Sequence, residues 1–141
     1  MKVKDVESGF VIKLERNERV METLTNFCTE RSIKGGFFHA LGAVKNTEIG
    51  YYNLEKREYF FKKIPEDREV ASMTGNIALV DGKPFIHAHA VLSAMDDTLS
   101  CVGAHIKETE VAVTLEVYLT PFASAFTREY DEETGLKLLK I

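Results

Sequence analysis

The sequence predicts an α+β fold, a single domain spanning residues 1–141 with a mostly antiparallel β-sheet, and three observations lead there. Only one segment, near the N-terminus, carries apolar residues at helical spacing. Most of the chain beyond that segment alternates apolar and polar residues in short runs rich in aromatic and β-branched side chains. Between two of those runs lies Asp81-Gly82, a two-residue signal for an antiparallel hairpin.

Val3 to Leu14 ends in the alternation Phe10, Ile12, Leu14 and reads as a half-buried strand. Asn17 is a good helix N-cap, and Val20, Leu24, Phe27 and Cys28 then recur down one face, so one main amphipathic helix is expected over about 18–32, ended by Gly35-Gly36. Gly36 to Val44, Thr47 to Asn53 and Glu58 to Lys63 read as a meander of short strands. Val70 to Val80 should pair through Asp81-Gly82 with Pro84 to Ala94, and Asp96-Asp97 marks the next reversal. Leu99 to Ile106 and Val111 to Leu119 supply two further strands, the second alternating strictly except that Glu116 interrupts its apolar character. A polar turn at Asp131 to Gly135 precedes a short apolar ending, Leu136 to Leu139.

Composition bounds what such a chain can do. With 45% apolar residues it can build a core without staples, and charged side chains interrupt every hydrophobic run, which excludes a membrane-spanning helix. No apolar block succeeds Met1-Lys2-Val3-Lys4-Asp5, so the expected location is cytoplasmic. The 2 cysteines, Cys28 and Cys101, are expected as buried small hydrophobes rather than as a disulfide. A net charge of −4 repels a phosphate backbone unless the basic residues are segregated onto one face.

The chemistry concentrates in three of the 4 histidines. On an extended strand residues two apart share a face, so His87 and His89 project together, separated by about 6.6–6.8 Å of rise. Two imidazoles so placed can chelate one ion, and His105 from a neighbouring strand would complete a three-ligand set suited to zinc or a related divalent metal. Parity sets a condition. A plain two-residue turn at Asp96-Asp97 would pair His105 with Ala88 and send its ring to the wrong face, so the triplet requires an odd-length loop or a bulge, with Gly103 the expected place for the latter. His39, between Phe38 and Ala40, is expected to be a satisfied core histidine.

Three stretches carry a family likeness: Thr74-Gly75-Asn76-Ile77, the block Asp81-Gly82-Lys83-Pro84-Phe85-Ile86-His87-Ala88-His89-Ala90, and Val102-Gly103-Ala104-His105-Ile106. In order and spacing they resemble the plants-and-prokaryotes-conserved (PPC) domain family, of the prokaryotic type without an AT-hook, and the likeness extends to Leu41-Gly42-Ala43 and to the tail. The resemblance implies an α+β domain around an antiparallel sheet, a homotrimer, and a family often labelled as predicted DNA-binding proteins. The basic AT-hook through which plant relatives read DNA has no counterpart here, and Ala104 stands where the family commonly has a second glycine. The family fold also resembles that of acetolactate decarboxylase, a zinc enzyme with a His-x-His pair and a later histidine, which adds to the expectation of metal at His87, His89 and His105.

Three functions are consistent with these residues. The first is a metal-binding protein, extending to a metal-dependent lyase or hydrolase on a small carbonyl or carboxylate substrate, in which the ion polarises a carbonyl or activates water and Glu69 or Glu116 moves protons. The second is a DNA-binding or regulatory module using Lys56-Arg57 and Lys62-Lys63 beside Tyr51, Tyr52, Phe60 and Phe61. The third is a structural domain whose aromatic meander makes subunit contacts and whose histidines hold no metal.

Overall fold

The computed structural model describes residues 1–141. In chain order the elements are β1 (Lys2–Val6), β2 (Gly9–Glu15), α1 (Val20–Glu30), β3 (Gly36–Asn53), β4 (Glu58–Ile64), β5 (Arg68–Val80), β6 (Lys83–Ala94), β7 (Cys101–Pro121), β8 (Thr127–Tyr130) and β9 (Lys137–Lys140). All the strands join one 9-stranded sheet, antiparallel except for a single parallel pairing of β5 with β8. The α+β class and the single helix stand as the sequence predicts. No helix is long and apolar enough to cross a membrane.

Two long strands organise the sheet. β3 pairs with β5 and β7, β5 with β6, and β6 with β7, so the hydrogen-bonded path β3-β5-β6-β7-β3 closes on itself. Its inward face carries Phe38, Ala40, Met73, Ala88, Leu92, Val111 and Leu115, all nearly inaccessible to solvent. Helix α1 packs on β6 and β7, burying Val20, Met21, Leu24, Phe27 and Cys28. Burial pushes the Cys28 thiol up to about 12, consistent with an inert core cysteine.

Several local expectations need correction. Val3 to Leu14 is a hairpin of β1 and β2, with Gly9 at φ 147 where the chain leaves the turn. Lys45-Asn46 and Lys107 to Glu110 do not separate strands. They lie inside β3 and β7, where the register shifts between Lys45 and Glu48 and Asn46 takes a left-handed φ of 50. Charged residues thus mark a bulge that bends a continuous strand. Asn17 is not the helix cap either, because it sits at φ 70 in the preceding turn and its Oδ1 accepts from Lys45 Nζ at 2.7 Å. The first turn of α1 is capped from far along the chain: the Glu108 carboxylate accepts the Met21 N–H at 2.9 Å and the Glu22 N–H at 3.3 Å. At the other end Ser32, not glycine, takes the left-handed conformation that ends the helix, and the Ile33 N–H returns to the Cys28 carbonyl.

The Asp81-Gly82 turn forms as expected, with both residues at positive φ, joining β5 to β6 through the Val80–Lys83 pair. Beyond β7 the chain crosses Lys34-Gly35, where Phe122 N–H donates to Gly35 O and Phe126 N–H to Lys34 O. It then forms the β8–β9 hairpin, which lies over the outer face of the sheet and walls a cavity there.

Candidate metal centre

Strand alternation places the histidines. Along β6, Ile86, Ala88, Ala90 and Leu92 point into the core, so His87 and His89 point out of it on the opposite face. On β7, Ile106 points inward and His105 outward. The loop between these strands spans residues 95–99 and is closed by the Ala94 N–H donating to Ser100 O at 2.8 Å. Its odd length meets the parity condition, setting His89 directly opposite His105. Gly103 pairs regularly with Val91, so the alternative device, a bulge at that glycine, is not used.

The three rings form a near-equilateral triangle. Centroids lie 5.0 Å apart for His87–His89, 5.2 Å for His87–His105 and 5.5 Å for His89–His105. One ring nitrogen from each lies within 4.8 Å of the others. Tetrahedral coordination with metal–nitrogen bonds of ~2.0–2.1 Å needs nitrogens about 3.3 Å apart, a contraction within reach of small χ rotations. The chemistry of the donor set fits as well. His87 is held down to about 4, first by burial, then by the Arg128 charge and the other two imidazoles. His105 is lowered by burial, then by His89 and Arg128. Both rings are therefore neutral near pH 7, the form that binds metal. His105 Nδ1 is buried without a hydrogen-bond partner, a lone pair or proton that the protein itself leaves unused.

Around the triangle lies a cavity of about 630 Å³, well within the size of small-molecule sites. On one side β4 supplies Tyr59, whose ring centroid is 5.2 Å from that of His105, stacked 5.4 Å from Phe61. Gly50 makes this approach possible. It sits between His105 and Phe61 in the cross-strand row, and a Cβ there would come 2.0 Å from Phe60 O. On the other side the β8–β9 hairpin supplies Arg128, Leu136 and Leu138. Tyr52 ties the two walls together, its hydroxyl donating to Thr134 O at 2.8 Å.

Arg128 is the group that no sequence signal marked. Its guanidinium donates to Asn76 Oδ1 at 2.8 Å and Lys137 O at 3.1 Å, lies over the Phe85 ring, and approaches His87 Nδ1 at 3.2 Å. Arginine has only donors to offer, so His87 Nδ1 accepts and the His87 proton sits on Nε2. A ligand role for His87 conflicts with that contact through either nitrogen. Coordination at Nε2 would move the proton to Nδ1, and coordination at Nδ1 would take the guanidinium's place, so Arg128 gives up His87 in both cases.

The other expected residues lie elsewhere. Glu69 is exposed on β5 opposite Ser93 and Ala43, and Glu116 is exposed on β7 opposite Lys13 and Leu41, so neither carboxylate lines the cavity. His39 is not a core residue: it is exposed on β3 with its ring edge-on to Phe37 at 4.7 Å. Cys101, expected in the core, is likewise exposed at the start of β7, and both cysteines are free thiols.

Known proteins share this architecture. A protein from Ralstonia eutropha JMP134, named as a supposed DNA-binding protein, matches with a TM-score of 0.90 at 25% identity over 99% of this chain and 96% of its own. A plant- and prokaryote-conserved (PPC) protein from Pyrococcus horikoshii matches at TM-score 0.85 and 30% identity over 93% and 90% of the two chains. A metal-containing protein from Archaeoglobus fulgidus matches at TM-score 0.85 and 34% identity over the full length of both chains, 100% each. A comparison with curated proteins finds no match. The model of the Plants and Prokaryotes Conserved (PCC) domain matches residues 1–123, so the strands that carry the three histidines and the helix packed beneath them belong to that domain, and the chain is a member of its family.

Proposed function

We propose that this chain binds one divalent metal ion, zinc first among the candidates, through His87, His89 and His105. The observation that carries the reading is the convergence of three imidazoles, from two adjacent strands, on a common point inside a cavity. An ion held by three protein ligands would keep a coordination position for a further ligand. An ion there would supply Lewis-acid polarisation of a bound carbonyl or carboxylate oxygen. No Asp or Glu lines the cavity to move protons for a lyase or hydrolase, which is why binding rather than catalysis is the function proposed. The metal-containing Archaeoglobus relative supports the reading.

The test is metal analysis of the purified chain, with His87→Ala and His89→Ala as partners. About one zinc per chain is expected in the wild type and under a tenth of that in either variant, given that losing one of three ligands removes the chelate. Equal metal content in all three would end the proposal.

A second reading, DNA binding, draws on the name of the Ralstonia relative and on the basic residues beside the aromatics of β4. Lys56 Nζ lies 5.1 Å from the Phe60 ring centroid on one face of that strand and Lys107 Nζ 5.1 Å from that of Phe61 on the other, while Lys62 and Lys63 are exposed. The net charge of −4 weighs against it. Titration with duplex DNA across ionic strength decides: binding that does not strengthen as salt is lowered removes this reading. Homotrimer formation and a cytoplasmic, reducing location, in keeping with two free thiols, complete the proposal.

A further inference from the structure

Arg128 is partly buried, has no acidic partner among the ion pairs of the chain, and keeps its Nε buried without any hydrogen-bond acceptor. A guanidinium withdrawn from water costs free energy that native structures normally offset with a carboxylate. Here the surroundings supply none. The cavity it lines contains three imidazoles and Lys137, whose ammonium is already paired with Asp81 at 2.7 Å, and no Asp or Glu. The remaining wall is largely apolar or aromatic, with Tyr59, Phe85, Leu136 and Leu138 among its members.

We infer that this cavity binds a small monocarboxylate with an aromatic or branched apolar body, its carboxylate held by Arg128 and its body seated against Tyr59, Phe85 and Leu138. Arg128 is the one cationic side chain of the cavity without an acidic partner, and its planar fork matches the two oxygens of a carboxylate. The largely apolar lining selects against a ligand that is all charge, such as inorganic phosphate or oxalate. The inference deepens the metal reading and rests on it for a second anchor: Arg128 gives up His87 when that ring becomes a ligand, which frees an Nη2 donor for the anion, and a bound ion would attract the same carboxylate. Arg128 is a binding residue here and carries no proton-transfer role.

The experiment is calorimetric titration of the full chain with phenylacetate, and with its neutral isostere phenylacetamide, before and after removal of metal by chelation. Phenylacetate is expected to bind at least about tenfold more tightly than phenylacetamide, and Arg128→Met to weaken phenylacetate by a similar factor with metal content unchanged or raised, since a cation beside the site has been removed. Equal affinity for acid and amide in the wild type overturns the inference without recourse to any variant, as does the absence of phenylacetate binding. Metal present with no carboxylate selectivity sinks this inference and leaves the metal reading intact. Arg128-dependent selectivity in a chain that takes up no metal even when zinc is supplied sinks the metal reading and upholds the carboxylate.

Discussion

A single residue shows how strongly environment sets chemistry at this site. His87 is an ordinary strand residue by spacing, yet burial, the Arg128 guanidinium and two neighbouring imidazoles bring it from 6.5 to about 4. A histidine held below its usual value binds fewer protons in the folded chain than in the unfolded one, so its contribution to stability is complete above about pH 6.5 and is lost as the pH falls towards 4. Metal-free protein is therefore expected to melt at lower temperature at about pH 4.5 than at about pH 7, and the drop should shrink in His87→Asn. Thermal unfolding followed by circular dichroism checks this; an undiminished drop in the variant would assign the pH response to other groups. The three ligand candidates were legible because period-two spacing on a strand is a strict geometric statement. Arg128 was not, because nothing in Phe126-Thr127-Arg128-Glu129 signals that a tail hairpin will fold back over β6. Glu69 and Glu116 lie away from the cavity for a related reason, since sheet membership does not say which end of a strand, or which face, a carboxylate occupies.

Secondary structure was legible where a local rule decides it and misread where a distant partner does. The Asp81-Gly82 turn requires positive φ at both positions, and that requirement alone identifies the β5–β6 hairpin. Helix α1 was visible from its apolar face, but its start was misplaced because the cap comes from Glu108, on a strand far along the sequence. That carboxylate satisfies two of the orphan N–H groups and faces the positive end of the helix dipole. Replacing it, Glu108→Ala, is expected to destabilise the fold by about 1–2 kcal/mol, the range for losing an N-cap. Chemical denaturation with an unchanged m-value is the measurement, and a change below about 0.3 kcal/mol would show that the contact stabilises nothing. The bulges of β3 and β7 evaded the sequence for a different reason: a charged pair inside a strand and a charged turn between strands look alike until register is known.

At the scale of the molecule, the closed path β3-β5-β6-β7 fixes the histidine triangle on a rigid scaffold, and the chain's last hairpin then closes the cavity over it. Another part of the outer surface carries a different feature. Leu41 is 52% exposed and Tyr118 49% exposed on adjacent strands, with Phe37 and Val113 also exposed, an apolar patch of the kind subunit interfaces cover. If the trimer forms through it, Leu41→Glu is expected to lower the solution mass measured by light scattering towards that of one chain, whereas an unchanged trimer mass would move the interface elsewhere. The three histidines lie on β6 and at the start of β7, away from Leu41 on β3, and the proposed metal binding should survive that substitution. Its existence is the claim on which the rest depends, and X-ray absorption at the zinc edge of the zinc-loaded chain tests it most directly. The spectrum is expected to show three imidazoles in the first shell at ~2.0–2.1 Å, completed by lighter oxygen scatterers and no sulfur. A shell with one imidazole or none, or one containing a thiolate, would contradict coordination by His87, His89 and His105.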